Sequence, residues 1–280
     1  MKKILLPTDF SDNAFNAINY AMQFFKNEVC HFYILHVQKA SHYITDDLMT
    51  ASSNTTIHES VVEVTKKKLH QILEELKVRY VTEDYTFHTL IDYDVLVDAF
   101  NQVIRSKNID MIIMGTNGVT GAEEVLFGSN TINVIRKIDC PVIIIPQGFK
   151  FTTPKTILYA IDHNDHFVED DHQLLSKMID KHQSSLKILR IKNDDSITIS
   201  EFEDKKSMRI FFKNQDHTFH SITNVPAALA INSFVQIMDI DMTAMFVKKE
   251  TFFKRFFKGS NTSKISYGTR VPLLIMHTRT

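Results

Sequence analysis

The sequence predicts an α/β chain in which one parallel-sheet domain is built twice. Three observations point there. Short runs of consecutive apolar residues alternate with stretches whose apolar residues recur at helical spacing. The runs are apolar at successive positions, as in strands buried on both faces. And the order of landmarks in the first half returns in the second.

Residues 3–7 form the first apolar run, which stops at a turn beginning with Pro7. Ser11 and Asp12 can cap a helix carrying Ala14, Ile18, Ala21, Met22 and Phe25 on one face. Residues 31–37 are a second strand. After the polar stretch Ser52-Ser53-Asn54-Thr55-Thr56 comes a helix with Val61, Val64, Leu69, Ile72, Leu73 and Leu76 turned inward. Residues 85–90 alternate as a third strand, and Val95, Ala99, Phe100, Val103 and Ile104 mark the next helix. Residues 110–114 and 141–145 are the last two strands of this half. Strands of this type separated by amphipathic helices indicate a parallel sheet covered on both faces.

In the second half, Ile157-Leu158-Tyr159-Ala160-Ile161-Asp162 repeats Ile4-Leu5-Leu6-Pro7-Thr8-Asp9. Gly259-Ser260-Asn261-Thr262 repeats Gly128-Ser129-Asn130-Thr131, and Val271-Pro272-Leu273-Leu274-Ile275-Met276 repeats Cys140-Pro141-Val142-Ile143-Ile144-Ile145. The order is kept, so the domain is duplicated. The join falls at 147–154, which holds Gly148 and Pro154 and has no hydrophobic period. This sets the domains at 1–147 and 153–280. The second copy is shorter: its polar stretch 194–213 leaves room for a short helix only.

Composition narrows the function. Apolar residues make up 44% of the 280 and charged residues 23%, enough for a core in each half. A net charge of -1 gives no global reason to expect nucleic acid as a partner. Cys30 and Cys140 lie on different elements and read as buried apolar residues, which suits a reducing compartment. The N-terminal apolar run is broken by Pro7 and Asp9, so it fails as a secretory leader, and no segment is long enough to span a membrane. The expectation is a soluble cytoplasmic protein.

The chemistry is concentrated after the fourth strand of the first half. That strand runs into Gly115-Thr116-Asn117-Gly118, and after residues 119–127 come Gly128-Ser129 and a helix from Asn130-Thr131. In an open parallel sheet, ligands sit beyond the carboxyl ends of the strands. Glycines at 115 and 118 allow a sharp turn and a close backbone approach to a ligand. Gly128 and Ser129 open a helix whose free N–H groups and dipole favour phosphate oxygens, and Ser129 and Thr131 add hydroxyl donors. The sequence contains neither G-x-x-x-x-G-K-[ST] nor a G-x-G-x-x-G after the first strand, so a P-loop and a standard dinucleotide fold are both disfavoured.

This spacing, Gly115-x-x-Gly118 followed by Gly128-Ser129, resembles the ATP-binding pattern of the universal stress protein family. Pro7-Thr8-Asp9 before a helix, His36-Val37 closing the second strand and the Pro-led last strand resemble it too, over the whole first half. The resemblance implies two tandem Rossmann-like domains, each an open five-stranded parallel sheet of order 3-2-1-4-5, paired through the last strand. It leaves open whether two chains pair again as a homodimer, and it names no protein partner. It implies that Pro7, Thr8 and Asp9 line the ribose and adenine side, with Asp9 accepting a ribose hydroxyl hydrogen. The backbone of Val37 would meet the adenine edge, with Met114 and Gly115 near the ribose. Asn117, Gly118, Gly128, Ser129, Asn130 and Thr131 would hold the phosphates.

Residues 115–129 contain no Lys or Arg and two acids, Glu123 and Glu124. A triphosphate there would need backbone N–H groups, hydroxyls and Mg²⁺. No general base is evident, so the expectation is a binding protein with at most slow ATP hydrolysis, not an enzyme. The alternatives are an interaction or ligand-storage module without nucleotide, or a slow adenine-nucleotide hydrolase using Thr8 and Asp9. In the second copy Phe246 and Lys249 stand where Gly115 and Gly118 do, so that copy reads as a degenerate structural partner. Its segment 248–258 is basic and aromatic, and reads as a helix over the vacant pocket or as a docking surface. His163, His166 and His172 follow no metal-ligand spacing, and with Asp165, Asp170 and Asp171 they read as a solvated loop and helix start.

Overall fold

The computed structural model describes residues 1–38, 54–116, 127–162, 165–194, 197–247 and 269–277, with the backbone alone for 54–61. The chain divides into two compact units, Met1–Gly115 and Thr116–Thr280.

The first unit runs β1 (Lys2–Pro7), α1 (Asp12–Phe24), β2 (Cys30–Val37), α2 (Asn54–Arg79), β3 (Tyr85–Asp92), α3 (Leu96–Lys107) and β4 (Met111–Gly115). Its strands lie in the order β3-β2-β1-β4, every pair parallel. Ile4, Leu5, Leu6, Ile112 and Ile113 are buried to 1% or less, as strands covered on both faces require. Full burial of each such side chain contributes about 1.5–3 kcal/mol before entropic costs. Ser11 caps α1, its Oγ accepting the Ala14 N–H at 3.2 Å. Ala14, Ala17, Ile18, Ala21 and Met22 then turn inward. Phe32 on β2 packs edge-on against Tyr85 at 4.9 Å and stacks on Phe87 at 5.7 Å, tying β2 to β3.

One inward assignment fails, and one residue counted into a helix falls just before it. Val64 is 52% exposed, because the buried stripe of α2 runs through Thr65, Leu69, Ile72 and Leu76. Val95 is 66% exposed, because it is the extended residue preceding α3 and not part of its buried face. Val61 lies outside the side chains described.

The second unit contains α4 (Ser129–Lys137), β5 (Val142–Ile145), β6 (Thr156–Asp162), a 3₁₀ turn (Glu169–His172), α5 (Gln173–His182), β7 (Ser185–Lys192), α6 (Ile199–Phe211), β8 (His217–Thr223), α7 (Ala227–Ile237), β9 (Met242–Val247) and β10 (Leu273–His277). Its order is β5-β10-β9-β6-β7-β8. All pairs are parallel except β5 with β10, where Leu273, Leu274 and Ile275 oppose Ile144, Ile143 and Val142. That pairing groups β5 with the second unit, although the sequence period assigns it to the first repeat. Between β5 and β6, Phe149 N–H bonds the Pro146 carbonyl at 3.1 Å around Gly148, whose φ of 71° suits the third position of a type II turn. The stretch 194–213 carries α6, 13 residues against 26 in α2. Cys30 and Cys140 are both buried and unbridged.

Candidate functional site

In the first unit, the loop after β1 is held by its own side chains. Thr8 is 6% exposed, and its Oγ accepts the Phe10 N–H at 3.0 Å. Asp9 is exposed, and its Oδ1 accepts the Ser11 N–H at 3.0 Å, an Asx turn that leaves the carboxylate at the surface. Phe10 takes the left-handed conformation, φ 65°, uncommon for an aromatic residue. Its ring stacks on His36 at 4.5 Å, with Lys68 Nζ 5.2 Å from the ring centroid. His36 Nδ1 in turn donates to the Thr8 carbonyl at 2.8 Å. The carboxyl ends of β1 and β2 are therefore cross-tied by two residues, Phe10 and His36, neither of which the sequence spacing marks for that role. Pro7 and Val37 are half-buried at those strand ends, and Met114 is 8% exposed on β4.

Gly115 is buried for a reason the sequence did not suggest. A Cβ on it would lie 2.7 Å from the Asn13 carbonyl oxygen and 2.9 Å from Asn13 Cγ. Its missing side chain admits the first turn of α1 against β4, beyond whatever approach it allows a ligand. Asn13 also carries a buried amide whose Oδ1 and Nδ2 have no hydrogen-bond partner among the described residues. An unpaired buried polar group costs about 1–3 kcal/mol, so this amide is retained against its energetic interest.

In the second unit, Gly128 is the extended N-cap of α4, with φ -66° and ψ 158°, and supplies no side-chain cap. The first ladder bond runs from Ile132 N–H to the Gly128 carbonyl at 3.1 Å. The N–H groups of Ser129, Asn130 and Thr131 precede it and have no intrahelical acceptor. No acid occupies the first turn, and Arg136 and Lys137 occupy the last, so no side chain of the helix itself offsets the positive end of its dipole. Ser129 is exposed and Asn130 half-buried. Thr131 is fully buried, as is Thr116, and neither hydroxyl has a partner among the described residues. Asn117, Gly118, Glu123 and Glu124 lie outside the described residues, as do Lys249, the segment 248–258, residues 259–262 and His163.

The matching position of the second copy is filled from within. Ile4 pairs with Met111 and Ile157 with Met242, so four residues on, Phe246 takes the place of Gly115. The Phe246 ring lies 4.3 Å from His172 and 5.7 Å from Tyr159. His172 Nδ1 donates to the Val168 carbonyl at 2.7 Å, and its Nε2 accepts the Tyr159 hydroxyl at 2.7 Å. Burial holds the His172 imidazole down at a pKa of about 4, and burial raises the Tyr159 phenol well above its ordinary range. Arg190 takes the place of His36 and reaches Asp204 Oδ2 at 3.3 Å, while Asp204 Oδ1 accepts the Phe167 N–H at 3.1 Å. Lys192 pairs with Glu201 at 3.2 Å. The reading of this segment as a solvated loop is thus corrected for its interior. His172 and Asp165 are buried, because Tyr159, on a different element, supplies the polar partner that a histidine needs inside.

Comparison with known proteins fixes the family. The model of the universal stress protein family matches residues 1–146. This chain belongs to that family. One universal stress protein of Methanocaldococcus jannaschii is 28% identical over 149 residues, covering 53% of this chain and 84% of the relative. A second from the same organism is 29% identical over 154 residues, covering 52% and 95%. The crystal structure of a universal stress protein from Archaeoglobus fulgidus aligns with 98% of this chain and 96% of its own at a TM-score of 0.67 and 19% identity, a likeness of fold. That likeness of fold runs through both halves of the chain. No helix among the described residues is long and apolar enough to cross a membrane.

Proposed function

We propose that this universal stress protein binds ATP through its first repeat, one nucleotide per chain, and that the nucleotide-bound state is its regulatory output. The observation that carries the reading is the start of α4. A helix of nine residues with no side-chain cap at Gly128, no acid in its first turn and a fully buried Thr131 hydroxyl that has no partner among the described residues is suited to an anion. The buried Thr116 hydroxyl, without a partner among the described residues, supports the same reading. In the first unit, the surface-facing Asp9 carboxylate suits a ribose hydroxyl. With no Lys or Arg in residues 115–129, Mg²⁺ would supply the charge that a triphosphate needs.

The second repeat carries no nucleotide in this reading, since Phe246, His172 and the Arg190–Asp204 pair occupy the corresponding strand ends. With no general base identified, turnover stays below about 1 s⁻¹, the low end of ordinary enzymes. Mass spectrometry of the small molecules released on denaturing freshly purified protein tests the proposal. Adenine nucleotide at about one per chain supports it, whereas a nucleotide-free protein that also fails to take up added ATP overturns it.

A further inference from the structure

β2 and β3 carry an imidazole pair outside every role described above. The strand register sets His31 opposite Thr86 and Tyr33 opposite His88, so the two histidines share one face of the sheet on a diagonal. His31 Nδ1 stands 3.3 Å from His88 Nε2, with ring centroids 5.4 Å apart and planes 25° from parallel. Both residues are half-buried, and Tyr33 stacks on His88 at 4.7 Å and 15°, holding that ring in place.

We propose that His31 and His88 together bind a divalent transition-metal ion of the zinc and copper class, with water completing its coordination. Two imidazole nitrogens about 2.0–2.1 Å from a tetrahedral ion stand about 3.3–3.4 Å apart, the separation already present here. Rotation of the His31 ring about its Cβ–Cγ bond, with the His88 ring held by Tyr33, turns its Nδ1 lone pair toward the point His88 Nε2 faces, and imidazole suits this class of ion. Burial, aided by His31 and Lys107, lowers the His88 pKa. In the metal-free pair one nitrogen donates its hydrogen to the other. On binding, that proton moves to the second nitrogen of its own ring, and the charge balance is kept. Among the described residues no group of three or more His, Cys, Asp and Glu gathers for a metal, so this ion has two protein ligands and exchanges readily. The second copy has Ser185 and Thr218 at the matching strand positions, which confines the site to the first repeat.

Those residues supply test variants that suit a strand, His31→Ser and His88→Thr. Calorimetric titration of the full chain with Zn²⁺, without nucleotide, should show one equivalent fewer in each variant than in the wild type. Zn²⁺ should raise the unfolding midpoint of the wild type more than that of either variant, and Lys107→Gln should tighten the site by removing a neighbouring cation. Other histidines contribute equally to all proteins, so the difference is the readout. Equal stoichiometry in wild type and variants, no binding by the wild type, or loss in only one of the two variants overturns the proposal. The outcome does not depend on whether ATP binds.

Discussion

Replacing Gly115 by alanine puts a methyl carbon 2.7 Å from the Asn13 carbonyl oxygen and 2.9 Å from Asn13 Cγ. The first contact is to backbone in the opening turn of α1, and cannot be relieved by a side-chain rotation. Forcing such a group into a packed site costs about 1–3 kcal/mol. Alanine also restricts the unfolded chain, which returns about 0.4–1 kcal/mol. The clash outweighs that gain, so G115A should be destabilised by about 1–2 kcal/mol. With a urea dependence of about 2 kcal/mol per molar, the midpoint should fall by about 0.5–1 M. Urea unfolding by circular dichroism measures the shift, and hydrogen exchange shows whether α1 and β4 lose protection together. The double variant N13A/G115A should recover only part of the loss, since the backbone oxygen remains. A G115A midpoint equal to or above that of the wild type would refute the packing role given to this glycine.

Three further outcomes follow from the second unit and the helix start. His172 has a folded pKa of about 4 against 6.5 unperturbed, so between those values the unfolded chain binds more protons. Stability present above pH 6.5 should therefore drain away as the pH falls toward 4, by about 3 kcal/mol in all, and H172F should flatten that slope in pH-dependent denaturation. Asp204→Ala removes the carboxylate paired with the buried Arg190 guanidinium, leaving it the Asp165 carbonyl at 3.5 Å, and removes the acceptor of the Phe167 N–H, so it should destabilise the second unit by about 3–5 kcal/mol. A loss below about 1 kcal/mol, typical of an exposed pair, would contradict the burial described. Thr131→Val keeps the shape of a buried residue whose hydroxyl has no partner among the described residues. It should leave stability level or improved while weakening ATP binding, and unchanged ATP affinity in that variant would count against Thr131 as a ligand.

The repeat was legible because strand ends are marked by short, position-specific signals. Pro7-Thr8-Asp9 and Ile161-Asp162 fall at the ends of β1 and β6, and the register of β1 with β4 and of β6 with β9 reproduces the Gly115–Phe246 equivalence drawn from spacing alone. The inward faces of α1 and α3 could be read where the period was uninterrupted, but Val64 and Val95 misled it. Val64 sits beside the buried stripe of α2, and Val95 precedes the first turn of α3. Asn13 was missed because nothing local marks it. Its significance comes from Gly115, a hundred residues away on another element. The Arg190–Asp204 pair and the Tyr159–His172 bond were invisible for the same reason: each joins elements through partners that no spacing rule connects. Polar residues near a chain turn look solvated in a sequence until the structure supplies their partners.

Whether the first repeat holds ATP with Mg²⁺ is decided by calorimetric titration of ATP onto the full chain, with Mg²⁺ and again with EDTA. One equivalent per chain with Mg²⁺, and markedly weaker binding without it, is the expected result. No binding, two equivalents, or equal affinity in the two conditions would contradict it.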